Sequence, residues 1–346
     1  MDAILRLLAS LTSWVTFIPS SPYGFMEYAA PLREAGIEVF TGRHEPIKQL
    51  MRSRRDFYNL AILSRSQVGE QRLAVVKRYQ RKATVVFDTV DLKSLRIERE
   101  IQVTGSSGDG SSERERRLEG RLIRGSDITA VVSEEEGVEV ERLWPGARTV
   151  LLPNVHVPVE VQVPDRVGRR GILFVGSFHH PPNGDAVRWF SAKILPLVRR
   201  DLDIDFLVAG ADATASDVAS WGPNVRYLGW VPDIAGVLNE VVLSVAPLRY
   251  GAGMKGKVGQ AMSVGLPVVT TSIGAEGMGI TDGIDALIRD DPAGFAEAVV
   301  RLHQDGRLWG SISLNARRLV RRRWTSDAMR VRLEHLLRGD YADAAR

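Results

Sequence analysis

Between positions 249 and 257 the chain carries Arg249, Lys255 and Lys257 around a glycine-rich turn, Gly251–Ala252–Gly253. Three cations beside bare backbone suit an anion. Glycines let backbone N–H groups approach a phosphate closely, and a helix opening after the turn adds partial positive charge at its N-terminus. A departing nucleoside diphosphate needs this combination; a solvated basic turn is the plainer alternative. A second glycine turn, Val175–Gly176–Ser177, precedes Phe178–His179–His180–Pro181–Pro182–Asn183. Gly176 could admit a phosphate or a sugar to the backbone, while Asn183 reads equally well as the N-cap of the next helix. His179 and His180 are adjacent and have no carboxylate at ligand spacing, so no metal site is expected.

The rest of the chain must position these groups. It has 346 residues, 46 basic against 42 acidic side chains, a net charge of +4 and no cysteine. The length suits two domains. Disulfides, thiolate catalysis and cysteine-held zinc are excluded. A mild basic excess suits nucleotides or an acidic membrane surface and does not point to nucleic acid. Ala3, Ile4, Leu7, Leu8, Leu11 and Trp14 recur at helical spacing. They read as a packed helix rather than a signal peptide, because Arg6 interrupts the apolar run and no small-residue cleavage site follows. No apolar run approaches the ~20 residues that span a bilayer. The expected address is cytoplasmic, with peripheral contact at the inner membrane face as an extension of it.

Short runs rich in β-branched residues alternate with helical patterns. Strands are expected at 15–18, 38–40, 60–63, 84–87, 128–132 and 149–152, and again at 172–175, 206–209, 225–228, 243–245, 267–270 and 286–288. Helices are expected at 45–54, 68–80, 134–143, 186–198, 257–264, 292–304, 308–323 and 326–337. Ser133 followed by Glu136 reads as a capping box. The alternation predicts an α/β fold of two facing Rossmann-like domains with parallel sheets: residues 1–155, a proline-rich linker over 156–170, and residues 171–346 including the closing helices. Residues 104–112, TGSSGDGSS, read as a mobile loop, either a surface insertion or an acceptor-side flap. Ligands are expected beyond the carboxyl ends of the strands, in the cleft between the domains.

The runs GILFVGSFHHPPNGDAV, LVAGA, NVRYLGWVPD and APLRYGAGMKGKVGQAMSVGLPVVTTSIGAEGM resemble, in order and spacing, the donor domain of the retaining glycosyltransferases called family 4 or group 1, which have the GT-B fold. VVFDTVDLKSLRIERE and TAVVSEEE are similar to a bacterial subgroup of cell-surface polysaccharide assembly. The resemblance implies transfer of a sugar from a nucleoside-diphosphate sugar to a glycan or lipid-linked acceptor, with retention and without a metal or other cofactor. It implies that Gly176, Gly251 and Gly253 line the donor pocket, that Arg249, Lys255 and Lys257 face the diphosphate, and that Glu276 lies near the sugar or the phosphates. The departing phosphate oxygen would take the acceptor's proton on the same face.

The chain also departs from that pattern. Two glutamates usual in the family are here Ala252 and Gln260; Gln260 would meet the ribose without charge, or else face solvent. Lys93 stands where the subgroup has histidine, while Asp91 would orient an acceptor hydroxyl or merely cap a helix. The N-terminal domain is expected to lack its first strand. Arg317, Arg318, Arg321, Arg322 and Arg323 are either a solvated face or a contact for anionic lipid. These departures leave a non-catalytic nucleotide-sugar-binding partner subunit as the alternative function, and an epimerase as a third that no motif favours.

Overall fold

The computed structural model describes residues 2–20, 26–41, 44–106, 109–156 and 166–340. It separates into two compact units built on parallel sheet. Unit 1 comprises residues 1–95, 108–155 and 326–346; unit 2 comprises 96–107 and 156–325.

From the N-terminus the order is α1 (Asp2–Leu11), β1 (Thr16–Phe17), α2 (Met26–Glu34), β2 (Glu38–Val39), α3 (His44–Ser53), β3 (Leu60–Ser64), α4 (Ser66–Tyr79), β4 (Thr84–Asp88), α5 (Lys93–Thr104), α6 (Ser111–Gly125), β5 (Ile128–Val131), α7 (Glu134–Leu143) and β6 (Thr149–Leu151). Among the described residues these strands form a parallel pair, β1–β2, and a parallel sheet in the order β3–β4–β5–β6. Successive side chains of a strand point to opposite faces. Val86 of β4 therefore joins a core with Leu7 and Leu8 of α1, while its neighbour Phe87 joins Leu122 and Ile123 of α6 and Val140 of α7.

The order continues with β7 (Ile172–Val175), α8 (Pro181–Trp189), a π-helical turn (Phe190–Ile194), α9 (Leu195–Val198), β8 (Phe206–Ala209), α10 (Ala215–Trp221), β9 (Val225–Gly229), α11 (Ile234–Glu240), β10 (Leu243–Ala246), α12 (Gly256–Ser263), β11 (Val268–Thr270), α13 (Ser272–Ala275), β12 (Leu287–Ile288), α14 (Pro292–Gln304), α15 (Gly306–Arg323) and α16 (Ser326–Arg338). The strands of unit 2 lie in the order β12–β11–β10–β7–β8–β9, all parallel. Phe174, Phe190, Phe206 and Phe295 are fully buried in its core. Each stabilises the unit by roughly 2 kcal/mol of removed apolar surface, which makes this sheet a firm base for the loops at its ends.

Several expectations change. The last helix, read with the second domain, belongs to unit 1: Met329, Leu333 and Leu336 of α16 share a core with Leu7 and Leu8. Its apolar stripe, not its place in the order, decides where it packs. The helix expected at 186–198 begins at Pro181, because the first turn needs no N–H donors. It widens to a π-turn just ahead of Pro196, which has no N–H to give. The capping box is half made. Ser133 accepts from the Glu136 N–H at 3.1 Å, but the Glu136 carboxyl turns inward to Thr89. Helices α5 and α6 reach to the two ends of the expected mobile loop, of which Ser107 and Gly108 lie outside the described residues; so do residues 157–165 of the expected linker.

Candidate functional site

Strand order locates a ligand site before any side chain is considered. In unit 2, β7 bonds to β8 on one side and to β10 on the other. The chain thus leaves β7 in one direction and returns beside it from the other. Beyond the carboxyl ends of two such strands the loops diverge and leave a crevice. A pocket of about 310 Å³ opens there, lined by Gly176, Ser177, His180 and Asn183 after β7, by Tyr250 to Ala252 and Met254 to Lys257 after β10, and by Gln260. Sequence reading had singled out most of these residues, and the fold brings them together.

The first glycine turn is tight for a definite reason. A Cβ on Gly176 would lie 2.7 Å from the Asn183 amide nitrogen, and one on Gly210 only 1.9 Å from the Gly176 carbonyl oxygen. Asn183 is not an N-cap. It sits in the first turn of α8, where its Nδ2 donates to the Ser177 carbonyl at 2.7 Å. That bond turns its Oδ1 toward Lys257, whose Nζ donates to it. Lys257 Nζ also lies 4.6 Å from the centre of the Phe174 ring. Burial, with a smaller contribution from the charge of Lys255, pushes the Lys257 ammonium down to about 7.

Lys255 precedes α12 and is almost wholly buried. Its Nζ donates to the Gly253 carbonyl at 2.6 Å and lies 3.8 Å from Glu276 Oε2. Gly253, expected in the pocket wall, is not among the lining residues; its φ of +67° lies in the left-handed region that favours glycine, and its role is to shape the turn. Gln260 lines the pocket rather than facing solvent. Glu276, at the C-terminal end of α13, is not among the lining residues but adjoins one of them, Lys255, and both its oxygens accept from Arg99, each at 2.7 Å. Burial pushes its carboxyl up, but the Arg99 hydrogen bonds and the Lys255 charge outweigh that and hold it below the usual range.

Two expected residues are placed elsewhere. Arg249 does not line the pocket. Asp185 of α8, nearly buried, takes its Nε at 2.9 Å and its Nη2 as a two-pronged pair. The hydrogen bond that the guanidinium donates to that carboxylate is the main cause of its raised pKa. Asp91 lies in unit 1, in the loop between β4 and α5. It borders Glu136, whose carboxyl burial pushes up to about 8; the hydrogen bond from Thr89 opposes this and the charges of Asp91 and Asp88 add to it. Among the described residues no three histidine or acidic side chains are grouped to hold a metal ion.

Sequence reading missed Arg99, Asp185 and Tyr250. Arg99 lies within KSLRIERE, a helix the periodicity did not single out, and Asp185 was hidden among the residues of an expected helix start.

Comparison with known proteins points to the same stretch of chain. Residues 169–305, which contain the whole pocket, match the family model described as Glycosyl transferases group 1. A Klebsiella pneumoniae protein described as an uncharacterized 44.6 kDa protein in the cps region is 26% identical over 165 residues, 45% of this chain and 42% of that protein. The chain thus aligns with less than half the length of that relative. The crystal structure of TarM from S. aureus superposes on 86% of this chain with a TM-score of 0.70 at 12% identity, and the match covers 59% of TarM. Anabaena HepE, solved in complex with UDP and glucose, superposes on 98% of this chain and 95% of its own, with a TM-score of 0.73 at 13% identity. At these identities the likeness establishes the fold, which is the GT-B type expected from the sequence.

Proposed function

We propose that the chain binds a nucleoside-diphosphate sugar in the pocket beyond β7 and β10 and transfers the sugar, with retention, to a glycan or lipid-linked acceptor. One observation carries this reading: two lysines, Lys255 and Lys257, and the N-terminal end of α12 meet at a glycine-lined pocket at the switch point of a group 1 transferase domain. The lysines and the helix terminus together offset charge that develops on a departing diphosphate, so no metal ion is needed. The substrate class agrees with HepE, which was solved with UDP and glucose. The acceptor class draws on the cps region of the K. pneumoniae relative, and contact of the exposed arginines of α15 with an anionic membrane would bring a lipid-linked acceptor to the enzyme.

Titration calorimetry against UDP-, GDP- and dTDP-sugars, followed by product analysis in the presence of EDTA, tests each part. Binding with transfer or donor hydrolysis supports the reading. Inversion at the anomeric carbon removes the retaining claim, and loss of turnover in EDTA removes metal independence. A second reading is a nucleotide-sugar-binding partner without turnover. Gln260 in the pocket wall favours it, since it offers a ribose an uncharged acceptor. Tight binding without hydrolysis or transfer would establish that reading instead.

A further inference from the structure

From Arg96 onward helix α5 belongs to unit 2. Arg96, Arg99 and Glu100 are spaced i, i+3 and i+4, so their side chains project on the same side. Arg96 Nη1 lies 3.0 Å from His180 Nδ1. A guanidinium only donates, so this ring nitrogen accepts and the proton resides on Nε2. The Tyr250 hydroxyl donates to Glu100 Oε1 at 3.3 Å. Arg99 makes the densest set: Nη1 to the Gly251 carbonyl at 2.7 Å, Nη1 to Glu276 Oε2 at 2.7 Å and Nη2 to Glu276 Oε1 at 2.7 Å. His180, Tyr250 and Gly251 all line the pocket.

We propose that Arg99 is a positioning residue of the donor site, which fixes the Glu276 carboxylate so that it accepts hydroxyl groups of the donor's sugar. The proposal rests on the nucleotide-sugar reading of the pocket and assigns Glu276 to one end of that ligand. Chemistry decides which end. An ionised carboxylate only accepts hydrogen bonds, and a diphosphate at neutral pH has none to donate. The two repel, whereas a sugar hydroxyl donates well. Each Glu276 oxygen has about two acceptor directions, and the Arg99 fork takes one on each. The second direction on each oxygen is then set by a planar clamp rather than by a flexible side chain. Lys255 Nζ, 3.8 Å from Oε2, adds its charge to the same carboxylate.

The test measures how much the sugar adds to binding. Affinity for the sugar nucleotide identified by the calorimetric panel is compared with affinity for its bare diphosphate, in the wild type, Arg99→Gln, Glu276→Gln and the double variant. The expected result is a fall of tenfold or more in the ratio of the two affinities for each single variant. The double variant should fall no further than either, because Arg99 acts through Glu276. Arg99→Lys, which keeps the charge and loses the fork, should hold its thermal midpoint and still show the lowered ratio. An unchanged ratio in Arg99→Gln with bare-diphosphate binding intact overturns this role alone. So does an additive loss in the double variant, or an equal loss for both ligands. A wild-type chain that binds neither ligand overturns the donor-site reading and this role together.

Discussion

Lys257 gives the pocket a measurable proton linkage. Its ammonium is pushed down to about 7 in the unliganded protein by burial and by Lys255. Its hydrogen-bond partner, Asn183 Oδ1, is neutral and does nothing to restore the charge by ion pairing. A diphosphate in the pocket would supply two or more negative charges close to Nζ and return the group toward the ordinary lysine value of about 10.4. Binding must then take up a proton. With a free-state value of about 7, uptake should be about half a proton at pH 7 and about 0.9 at pH 8, and affinity should weaken toward tenfold per pH unit above 7. Calorimetric titration of the diphosphate at pH 8 in buffers of different ionisation enthalpy reads the uptake directly. Lys257→Met should bind more weakly and show little uptake. Uptake near zero at pH 8 in the wild type would refute the reasoning, for it would mean that Lys257 either is already charged or never meets the ligand.

Other perturbations separate ligand-facing groups from supporting ones. Gln260→Glu should tighten diphosphate-nucleoside binding about fivefold, since a charge-assisted hydrogen bond to a ribose hydroxyl exceeds a neutral one by about 1 kcal/mol; calorimetry showing no change would mean that the side chain does not reach the ribose. Gly176→Ala places a Cβ 2.7 Å from the Asn183 amide, so it should displace Asn183 from Ser177 and Lys257 and weaken nucleotide binding about tenfold. Asp185→Ala leaves Arg249 without its carboxylate partner and should cost about 2 kcal/mol in urea denaturation, with nucleotide affinity changed less than in Lys257→Met. In unit 1, Glu136 holds its proton up to about pH 8, whereas the unfolded chain releases it near 4.5. The folded state binds more protons across that window, so stability should fall as pH rises from 5 to 8, and Glu136→Gln should flatten the urea midpoints over that range.

Much of this was legible from residue order. The strand runs at 172–175 and 206–209 match β7 and β8 residue for residue, because buried parallel strands are continuous apolar runs bounded by glycine and polar turns. The glycine turns were legible for a similar reason: Gly176 and Gly210 approach each other too closely for any other residue. What was not legible depended on distant partners. Helix α6, SSERERRLEGRLIRG, looks polar throughout, and only its packing on β4 and β5 shows that Leu118, Leu122 and Ile123 make a sufficient apolar stripe. The membership of α16 in unit 1 is written in Leu7 and Leu8, more than 300 residues away in the chain. Arg99 was invisible because its partner, Glu276, is 177 positions distant.

The treatment of the three cations shows what charge counting leaves out. From the sequence, Arg249, Lys255 and Lys257 are equivalent contributors to an anion cradle. In the fold each has an internal partner, but the partners differ in kind. Arg249 is matched by the Asp185 carboxylate, so the pair presents almost no net field to a ligand. The nearest partners of Lys255 and Lys257 are a backbone carbonyl and an amide oxygen. A neutral partner orients an ammonium group without cancelling its charge, and the burial that makes an isolated charge costly also strengthens its attraction for an incoming anion. Glu276, 3.8 Å from Lys255, is the exception among the described residues, and it divides its charge between that ammonium and Arg99, which donates to both its oxygens. The affinity of the pocket for a diphosphate therefore depends less on how many basic residues surround the turn than on what kind of partner the fold has given each of them.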